Sequence, residues 1–224
     1  MIDPVPDPPR PPQTRGIVLR HAAAVYDWLA PAMMLWQEGR INRRAVRRLA
    51  LAPGDQVLDI GCATGGMTLA VAEHLDARQG GLCVGLDASQ EMIAVARRKA
   101  GPRPCRFDIG AAERLPYRDG VFDKAVSTFF FHHLNLEDKL TALREVHRVL
   151  KADGLFVLAD VDVPTTLFGR FCARSGEWLF RQPEIGENIE GKLPPLFAQA
   201  GFPKVLRLAH DMGYVTTFAL YKED

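Results

Sequence analysis

Short apolar runs alternate along the chain with segments of about a dozen residues whose apolar positions recur at helical spacing. The predicted strands lie at 56–60, 82–86, 106–107, 125–127, 155–159, 205–208 and 215–220. The predicted helices lie at 20–30, 40–50, 67–75, 89–99, 140–150 and 194–200. Ser89 is the expected N-cap of the helix that it opens. This alternation is typical of βαβ units, in which helices cover both faces of a parallel sheet.

The last two predicted strands are not separated by a long helix. They are therefore expected to form a hairpin, which makes one strand of the sheet antiparallel. Asp153 and Gly154 are expected to turn the chain into the fifth strand. The whole pattern predicts an α/β fold with a mostly parallel sheet. Ligands bind outside the carboxyl ends of the strands in such sheets, so functional residues are expected there.

The composition changes along the chain. Six of the 16 prolines lie within the first twelve residues. Because proline fixes φ and lacks a backbone N–H, residues 1–16 are expected to be an extended or disordered arm. Residues 17–50 are expected to form two cap helices, and 51–224 to form the sheet domain. Within that domain, 161–192 exceed the length of an ordinary connection and predict an inserted helical cap over a substrate.

The overall composition excludes several classes of protein. A hydrophobic fraction of 47% with 25% charged residues is globular, and a net charge of +1 provides no overall field for nucleic acid. The four cysteines show no CxxC spacing, which argues against a zinc site or a disulfide framework and favours a cytoplasmic setting. No run approaches the ~18–20 apolar residues of a membrane span, and the N-terminus lacks the apolar segment of a signal peptide.

A glycine-rich turn, VLDIGCATGG, follows the first predicted strand. Gly61 permits a tight turn and close approach of a ligand to the backbone, and Gly65 lets the loop wrap before the next helix. Asp59 ends the strand. Its ionised carboxylate only accepts hydrogen bonds, which suits an amino group and would repel a phosphate. Cys62 is expected to pack and to offer a backbone N–H.

The second strand ends in Asp87, whose carboxylate can accept both hydroxyls of a ribose. Met92 could lie against a flat base or could be an ordinary core residue. The dinucleotide fingerprint G-x-G-x-x-G is absent because Ala63 stands at its middle glycine, which argues against a nicotinamide dehydrogenase. These features predict a nucleoside ligand that has an amino-bearing tail and no pyrophosphate.

The ordered motifs resemble those of class I S-adenosylmethionine-dependent methyltransferases, specifically the ubiquinone/menaquinone-biosynthesis type. VLDIGCATG, GLDAS-x-x-M, AERLPY-x-x-x-x-FD and EVHRVLKADGLFVLAD match successive motifs over residues 50–160, and AGF at 200–202 matches more weakly. The resemblance implies a three-layer, Rossmann-like sheet of seven strands with a C-terminal antiparallel strand. It also implies a methyltransferase domain at 51–224 and S-adenosyl-L-methionine as the cofactor.

The resemblance further implies a set of cofactor-binding residues. They are Asp59, Gly61, Cys62, Gly65, Asp87, Ala88, Met92, Ala111, Ala112, Thr128 and Phe129. In this interpretation the first strand and its loop face the methionine portion, and the second strand holds the ribose. The family commonly has an acidic residue where this chain has Ala111. Asp108, Glu113 or water would take its place at the adenine, or the contact is missing.

Three residues are candidates for catalysis on the acceptor side. His132 and His133 follow the fourth predicted strand. Either could be a general base near neutral pH, and the alternative is a polar pair that orders the loop. Tyr26, in the first predicted helix, could close over the cofactor or the acceptor as a lid, or could simply pack. No set of residues has metal-ligand spacing, so no metal is expected.

The predicted activity is methyl transfer by in-line displacement to a small acceptor, on oxygen, nitrogen or carbon. Aromatic residues in 161–192 favour an apolar or aromatic acceptor such as a quinone or specialised metabolite, although the same residues could dock the insertion or form a dimer. Five arginines at 40–48 are more typical of a solvated helix face, but they keep a phospholipid-headgroup N-methyltransferase with peripheral membrane contact as an alternative. Ala111 keeps a non-catalytic nucleoside-binding module as another. The expected partner is a small molecule rather than nucleic acid. The chain is expected to be a monomer or a homodimer.

Overall fold

The structure, a computed structural model, describes residues 2–8, 12, 38–180 and 182–223. Its strands are β1 (Gln56–Ile60), β2 (Leu82–Asp87), β3 (Cys105–Ile109), β4 (Phe122–Thr128), β5 (Leu150–Val161), β6 (Lys204–Asp211) and β7 (Val215–Tyr221). Its helices are α1 (Glu38–Leu49), α2 (Gly66–Ala72), α3 (Gln90–Ala100), α4 (Leu136–Val149), α5 (Leu167–Phe180), α6 (Pro183–Ile189) and α7 (Pro194–Gln199). Single 3-10 turns lie at Ala77–Gln79 and Phe131–His133. The first predicted cap helix, with Tyr26, lies outside the described residues.

The strands form one seven-stranded sheet in the order β3-β2-β1-β4-β5-β7-β6. The first five strands pair in parallel, and β7 pairs antiparallel with both β5 and β6. This confirms the predicted fold class, including the hairpin. The strands β2 and β3 lie on one side of β1, and β4 and β5 lie on the other, so the strand order reverses between β1 and β4. The carboxyl ends of these two strands therefore form the crevice where ligands bind in such folds.

Apolar side chains on both faces of the sheet explain the continuous apolar runs of the inner strands. Leu58, Leu86 and Phe156 pack with residues of α4 in one core cluster. Val57 and Val157 point to the opposite face and pack with residues of α1 and α2 in another. The inner strands therefore bury both faces, as parallel sheets do.

Ser89 caps α3 as predicted. Its hydroxyl accepts a hydrogen bond from the backbone N–H of Met92 at 3.2 Å, which satisfies one of the N–H groups left open at the start of a helix. The helix therefore begins directly after the end of β2. That fixes the position of Asp87 at the edge of the sheet.

The fifth strand differs from its prediction. β5 begins at Leu150 rather than after the expected turn at Asp153 and Gly154. Phe122 pairs with Leu150, and Lys124 pairs next with Leu155, so the intervening residues form a bulge within the strand. A bulge inserts unpaired residues without ending the strand, which is why a turn-like sequence lies inside β5.

Part of the proline-rich arm is held against the sheet domain. Residues 2–8 have no regular secondary structure, but the side chain of Ile2 is buried in the main core cluster. Arg106 donates a hydrogen bond to the carbonyl of Ile2 at 3.1 Å, and Arg97 pairs with Asp7 at 2.7 Å. This portion of the arm is thus anchored beside β3 and α3.

Residues 161–192 contain α5 and α6. Asn188 of α6 donates to the carbonyl of Val161 at 3.1 Å, which fixes α6 to the end of β5. Ala173 of α5 and Ile185 of α6 lie in one apolar cluster, against which Phe129 packs. Both helices therefore stand at the carboxyl edge of the sheet. Over the described ranges, none of the helices combines the length and apolar character needed to cross a bilayer.

Candidate active site

The loop after β1 is held in an unusual backbone path. Gly61, Ala63 and Gly65 all have positive φ, at 72°, 46° and 89°. The N–H groups of Gly61 and Cys62 donate to the carbonyl of Leu86 at 2.9 and 3.0 Å. A Cβ at position 61 would overlap the ring of Phe130, so this position requires glycine for space as well as for conformation. The loop therefore packs directly on the segment that follows β4.

Asp87 joins this loop to the turn after β2. One carboxylate oxygen accepts the N–H of Ala63 at 3.0 Å, and the other accepts the N–H of Ser89 at 2.8 Å. Burial raises the pKa of Asp87, and these backbone hydrogen bonds oppose the rise. A carboxylate has about four acceptor sites, so Asp87 can still accept from two neighbouring hydroxyls.

Asp59 is buried at the end of β1. Thr68, in the first turns of α2, donates its hydroxyl to the Asp59 carboxylate at 2.6 Å. The Thr68 hydroxyl lies next to Gly85, the residue of β2 that pairs with Asp59. A Cβ at position 85 would lie 2.5 Å from the Thr68 oxygen, so the absence of a side chain there makes room for the hydroxyl. Burial raises the pKa of Asp59 to about 7, against the lowering effect of the Thr68 hydrogen bond. Sequence reasoning missed Thr68; its one signal is the position nine residues after Asp59.

The remaining predicted cofactor residues differ in how far they are exposed. Cys62 is buried, and burial raises the pKa of its thiol, so this side chain packs in the neutral form. Met92 and Ala112 are also buried, and Ala112 belongs to the main core cluster. Ala88 and Ala111 are half-buried and remain accessible at the carboxyl edge.

Thr128 and Phe129 lie where β4 leaves the sheet. Both are half-buried, and Phe129 has a positive φ of 55°. Its N–H donates to the carbonyl of Ala159 at 2.9 Å. Asp108, one substitute for the missing acid at the adenine edge, instead accepts hydrogen bonds from Arg106 and Tyr117 at 3.1 Å.

The donors and acceptors of this site decide whether it suits S-adenosylmethionine. Two carboxylates, Asp59 and Asp87, end adjacent strands, and the loop of residues 59–66 contains no lysine or arginine. Such a site accepts hydroxyl and ammonium groups and disfavours a pyrophosphate. The left-handed backbone at Gly61 and Gly65 lets a ligand approach the main chain. The residues present therefore fit this cofactor.

The histidine segment, residues 130–133, follows β4 and is hydrogen-bonded through His132 to Asp160, near the end of β5. His132 Nδ1 lies 2.7 Å from Oδ1 of Asp160, and the His132 backbone N–H donates to Oδ2 at 3.3 Å. The N–H of Val161 also donates to Oδ1 at 2.7 Å. Burial raises the pKa of Asp160, but the hydrogen bonds from His132 and from the N–H of Val161, with the positive charge of His132 when that ring is protonated, together hold the pKa below its usual value. Asp160 was not predicted as a site residue; its signal is a carboxylate near the end of a strand.

His133 has a different environment. Its Nδ1 lies 3.1 Å from Oε1 of Gln182, the residue before α6. Burial, with the neighbouring His132 as a second cause, lowers the pKa of His133 to about 3. The two rings are 4.1 Å apart between centroids and are tilted by 46°. Tyr26, the third candidate for catalysis, lies outside the described residues. Within the described ranges, no group of three or more His, Cys, Asp or Glu side chains could hold a metal ion.

Comparison with known proteins agrees with this geometry. The family model described as "Methyltransferase domain" matches residues 58–158. Demethylmenaquinone methyltransferase of Lysinibacillus sphaericus is 32% identical over 187 residues, which cover 75% of this chain and 78% of that protein. Ubiquinone/menaquinone biosynthesis C-methyltransferase UbiE of Geotalea uraniireducens is 32% identical over 148 residues, covering 64% and 61%.

Solved structures show the same fold. The YcgJ protein of Bacillus subtilis superposes with a TM-score of 0.65 at 22% identity, over 84% of this chain and 100% of that one. A SAM-dependent methyltransferase from Aquifex aeolicus superposes with a TM-score of 0.61 at 17% identity, over 85% and 97%. The chain belongs to the class I S-adenosylmethionine-dependent methyltransferases, in the group that includes the ubiquinone/menaquinone-biosynthesis type.

Proposed function

We propose that this chain methylates an apolar aromatic acceptor of the quinol class. The observation that carries the proposal is the outer face of α5. Leu167, Phe171 and Trp178 recur on one side of this helix and are 88%, 71% and 81% exposed. Exposed apolar stripes on a helix mark interaction surfaces rather than ordinary solvated faces.

Helix α5 lies at the carboxyl edge of the sheet, with its buried side against the neighbouring elements and the exposed stripe on its opposite side. Ala173 of α5 belongs to the apolar cluster against which Phe129 packs. Phe129 directly follows Thr128 at the carboxyl end of β4, where the methyl group is expected to be presented. The names of the relatives, demethylmenaquinone methyltransferase and UbiE, describe quinone-type acceptors and agree with this choice.

The protein's contribution is mainly to bind and orient. When bound, S-adenosylmethionine supplies an electrophilic methyl group on a sulfonium that departs as a neutral thioether. Asp87 would hold the ribose hydroxyls, and Asp59 with the 61–65 loop would face the methionine portion. Thr128 and Phe129 would lie near the sulfonium. Alignment of the reacting groups and exclusion of water then supply most of the acceleration.

The direct test is methylation by the purified full-length chain. Reduced demethylmenaquinone and phosphatidylethanolamine vesicles are each incubated with S-adenosylmethionine carrying a labelled methyl group. Label in the quinol supports the proposal. Label in the phospholipid alone would contradict it and favour a headgroup methyltransferase. The exposed arginines of α1 are the feature that motivates that alternative. Saturable S-adenosylhomocysteine binding in calorimetry without methylation of either acceptor would favour the non-catalytic nucleoside-binding module.

A variant of α5 tests the acceptor surface itself. Trp178→Ser is expected to raise the KM for the quinol several-fold and to leave the Kd for S-adenosylhomocysteine unchanged. Leu206→Ser is the matched control, because Leu206 is an exposed apolar residue on β6 outside this stripe. An equal effect of both variants on KM would contradict an acceptor site on α5.

A further inference from the structure

Resting on the proposed function, we propose that His132 is the general base of the methyl transfer and that Asp160 is its positioning residue. His133, in contrast, remains neutral and takes no proton. This assigns different roles to two adjacent histidines that the sequence leaves equivalent. The assignment follows from the partner that each ring nitrogen has.

The contact with Asp160 determines the tautomer of His132. An ionised carboxylate only accepts hydrogen bonds, so Nδ1 of His132 must carry the hydrogen in their 2.7 Å contact. Nε2 is then the nitrogen with the free lone pair. The second carboxylate oxygen accepts the backbone N–H of His132, so a single carboxylate holds both the ring and the main chain of this residue. These two hydrogen bonds restrict rotation of the ring.

The position of His132 is appropriate for a base. Its side chain is 13% exposed, whereas Asp160 is fully buried, so a ligand can reach the ring but not the carboxylate. The preceding Phe130 packs on Gly61 of the cofactor loop, and Phe129 is hydrogen-bonded to Ala159. The segment is therefore held between the cofactor loop and the end of β5. The ring of His132 lies at the edge where cofactor and acceptor must meet.

His133 lacks the features of a base. Its Nδ1 contacts the neutral side-chain amide of Gln182, which lacks the negative charge that Asp160 presents to His132. Burial lowers the pKa of His133 to about 3, so the imidazole binds a proton only weakly at neutral pH. Its contact with Gln182 is better suited to fixing the start of α6 beneath the acceptor surface.

The proposed step transfers one proton. The O–H bond of the acceptor breaks, its electron pair stays on the oxygen, and the proton binds Nε2 of His132. The resulting imidazolium is balanced by the carboxylate of Asp160, which itself stays ionised. The phenolate delivers its electron pair to the methyl group from oxygen or through a ring carbon. In the second case His132 returns its proton to the oxygen, and Nε2 accepts the hydrogen that leaves the ring carbon as a proton. Either route therefore releases one proton, which His132 later passes to water.

The kinetic test uses Asp160→Asn and His132→Gln in the full-length chain. Both variants are expected to lower kcat for quinol methylation by about 10²–10⁴-fold and to leave the Kd for S-adenosylhomocysteine unchanged. Asp162→Asn is the matched control for the first variant, because Asp162, directly after β5, is also buried but pairs with Arg207. His147→Gln is the control for the second variant, because His147 lies on α4 and its ring packs against Phe202.

A spectroscopic test separates positioning from mere stability. In ¹⁵N-labelled protein without ligand, the ring nitrogens of His132 are expected to show the Nδ1–H tautomer. Asp160→Asn should reduce that tautomer, because an amide can donate as well as accept. A folded Asp160→Asn variant that keeps the wild-type tautomer, or a loss of kcat below about tenfold, overturns the inference. If the wild type methylates no quinol, the proposed function fails, and the tautomer comparison still decides the role of Asp160.

Discussion

The hydroxyl of Thr68 holds the buried carboxylate of Asp59 through a 2.6 Å hydrogen bond. A neutral donor offsets only part of the cost of burying a charge, which is why burial dominates and the pKa of Asp59 rises to about 7. In the absence of ligand, the carboxyl group proposed to face the cofactor's amino-bearing portion therefore titrates near neutral pH. A cationic ligand group would favour its ionised form.

Asp59→Asn is expected to change the pH dependence of stability. The folded-state pKa of Asp59 lies above the ordinary aspartate value of 3.8, so the protein loses stability as the pH rises from about 4 to about 7. Asparagine keeps an oxygen for Thr68 and has no charge to bury. The variant's advantage in free energy of unfolding should grow by about 1–3 kcal/mol between pH 5 and pH 8. Urea denaturation at both pH values measures this, and an advantage that does not change with pH would contradict it.

Ala63→Gly is expected to stabilise the protein by about 0.5–1 kcal/mol. Ala63 has a φ of 46°, and a side chain in that left-handed region is strained, whereas glycine is not. Ala94→Gly, at an exposed position within α3, is the matched control and should cost about 1 kcal/mol. Urea denaturation of both variants at one pH gives the comparison. Loss of stability in both would show that Ala63 is not strained.

Asp87→Ala is expected to weaken S-adenosylhomocysteine binding by about 1–3 kcal/mol. The variant removes the acceptor proposed for the ribose, and it also leaves the N–H groups of Ala63 and Ser89 without their carboxylate. Isothermal titration calorimetry measures the affinity, with Asp76→Ala as a control at a partly exposed carboxylate that pairs with Arg78. Unchanged affinity in folded Asp87→Ala would remove this residue from the cofactor site.

Lys139→Met is expected to destabilise the protein by about 2–3 kcal/mol. The lysine side chain is fully buried, and its Nζ donates to Glu187 at 2.7 Å and to the carbonyl of Glu184 at 3.1 Å. Removing the cation leaves Glu187 without its partner, so combining the change with Glu187→Gln should recover part of the loss. Urea denaturation of the single and double variants tests this. A double variant less stable than Lys139→Met would show that the pair does not hold α4 to α6.

The parts of the fold that follow from local sequence were predictable. Strand β1, the cap at Ser89 and the hairpin of β6 and β7 depend on periodicity or on one neighbouring turn. The bulge in β5 was not predictable from its turn-like residues, because it arises from the pairing of β5 with β4. The position of that pairing is a property of two strands rather than one.

The candidate site was predictable only where a motif contains it. Asp59, Gly61 and Asp87 lie in contiguous motifs that resemble a known family. Thr68 and Asp160 act through partners at a distance in the chain, and their side chains meet those partners only after strands and helices pack. The different environments of His132 and His133 depend on which residue each ring contacts, and adjacency in sequence carries no such information.

Strand β7 comes last in the described chain, yet it lies inside the sheet, between β5 and β6. A ribosome therefore delivers the outer neighbour of β5 after all the other described strands, and Asp160 lies opposite Thr216 of that late strand. The strands around the cofactor loop have all their partners once residue 128 has emerged. The two halves of the site are thus expected to mature in sequence, first the cofactor side and then the acceptor side.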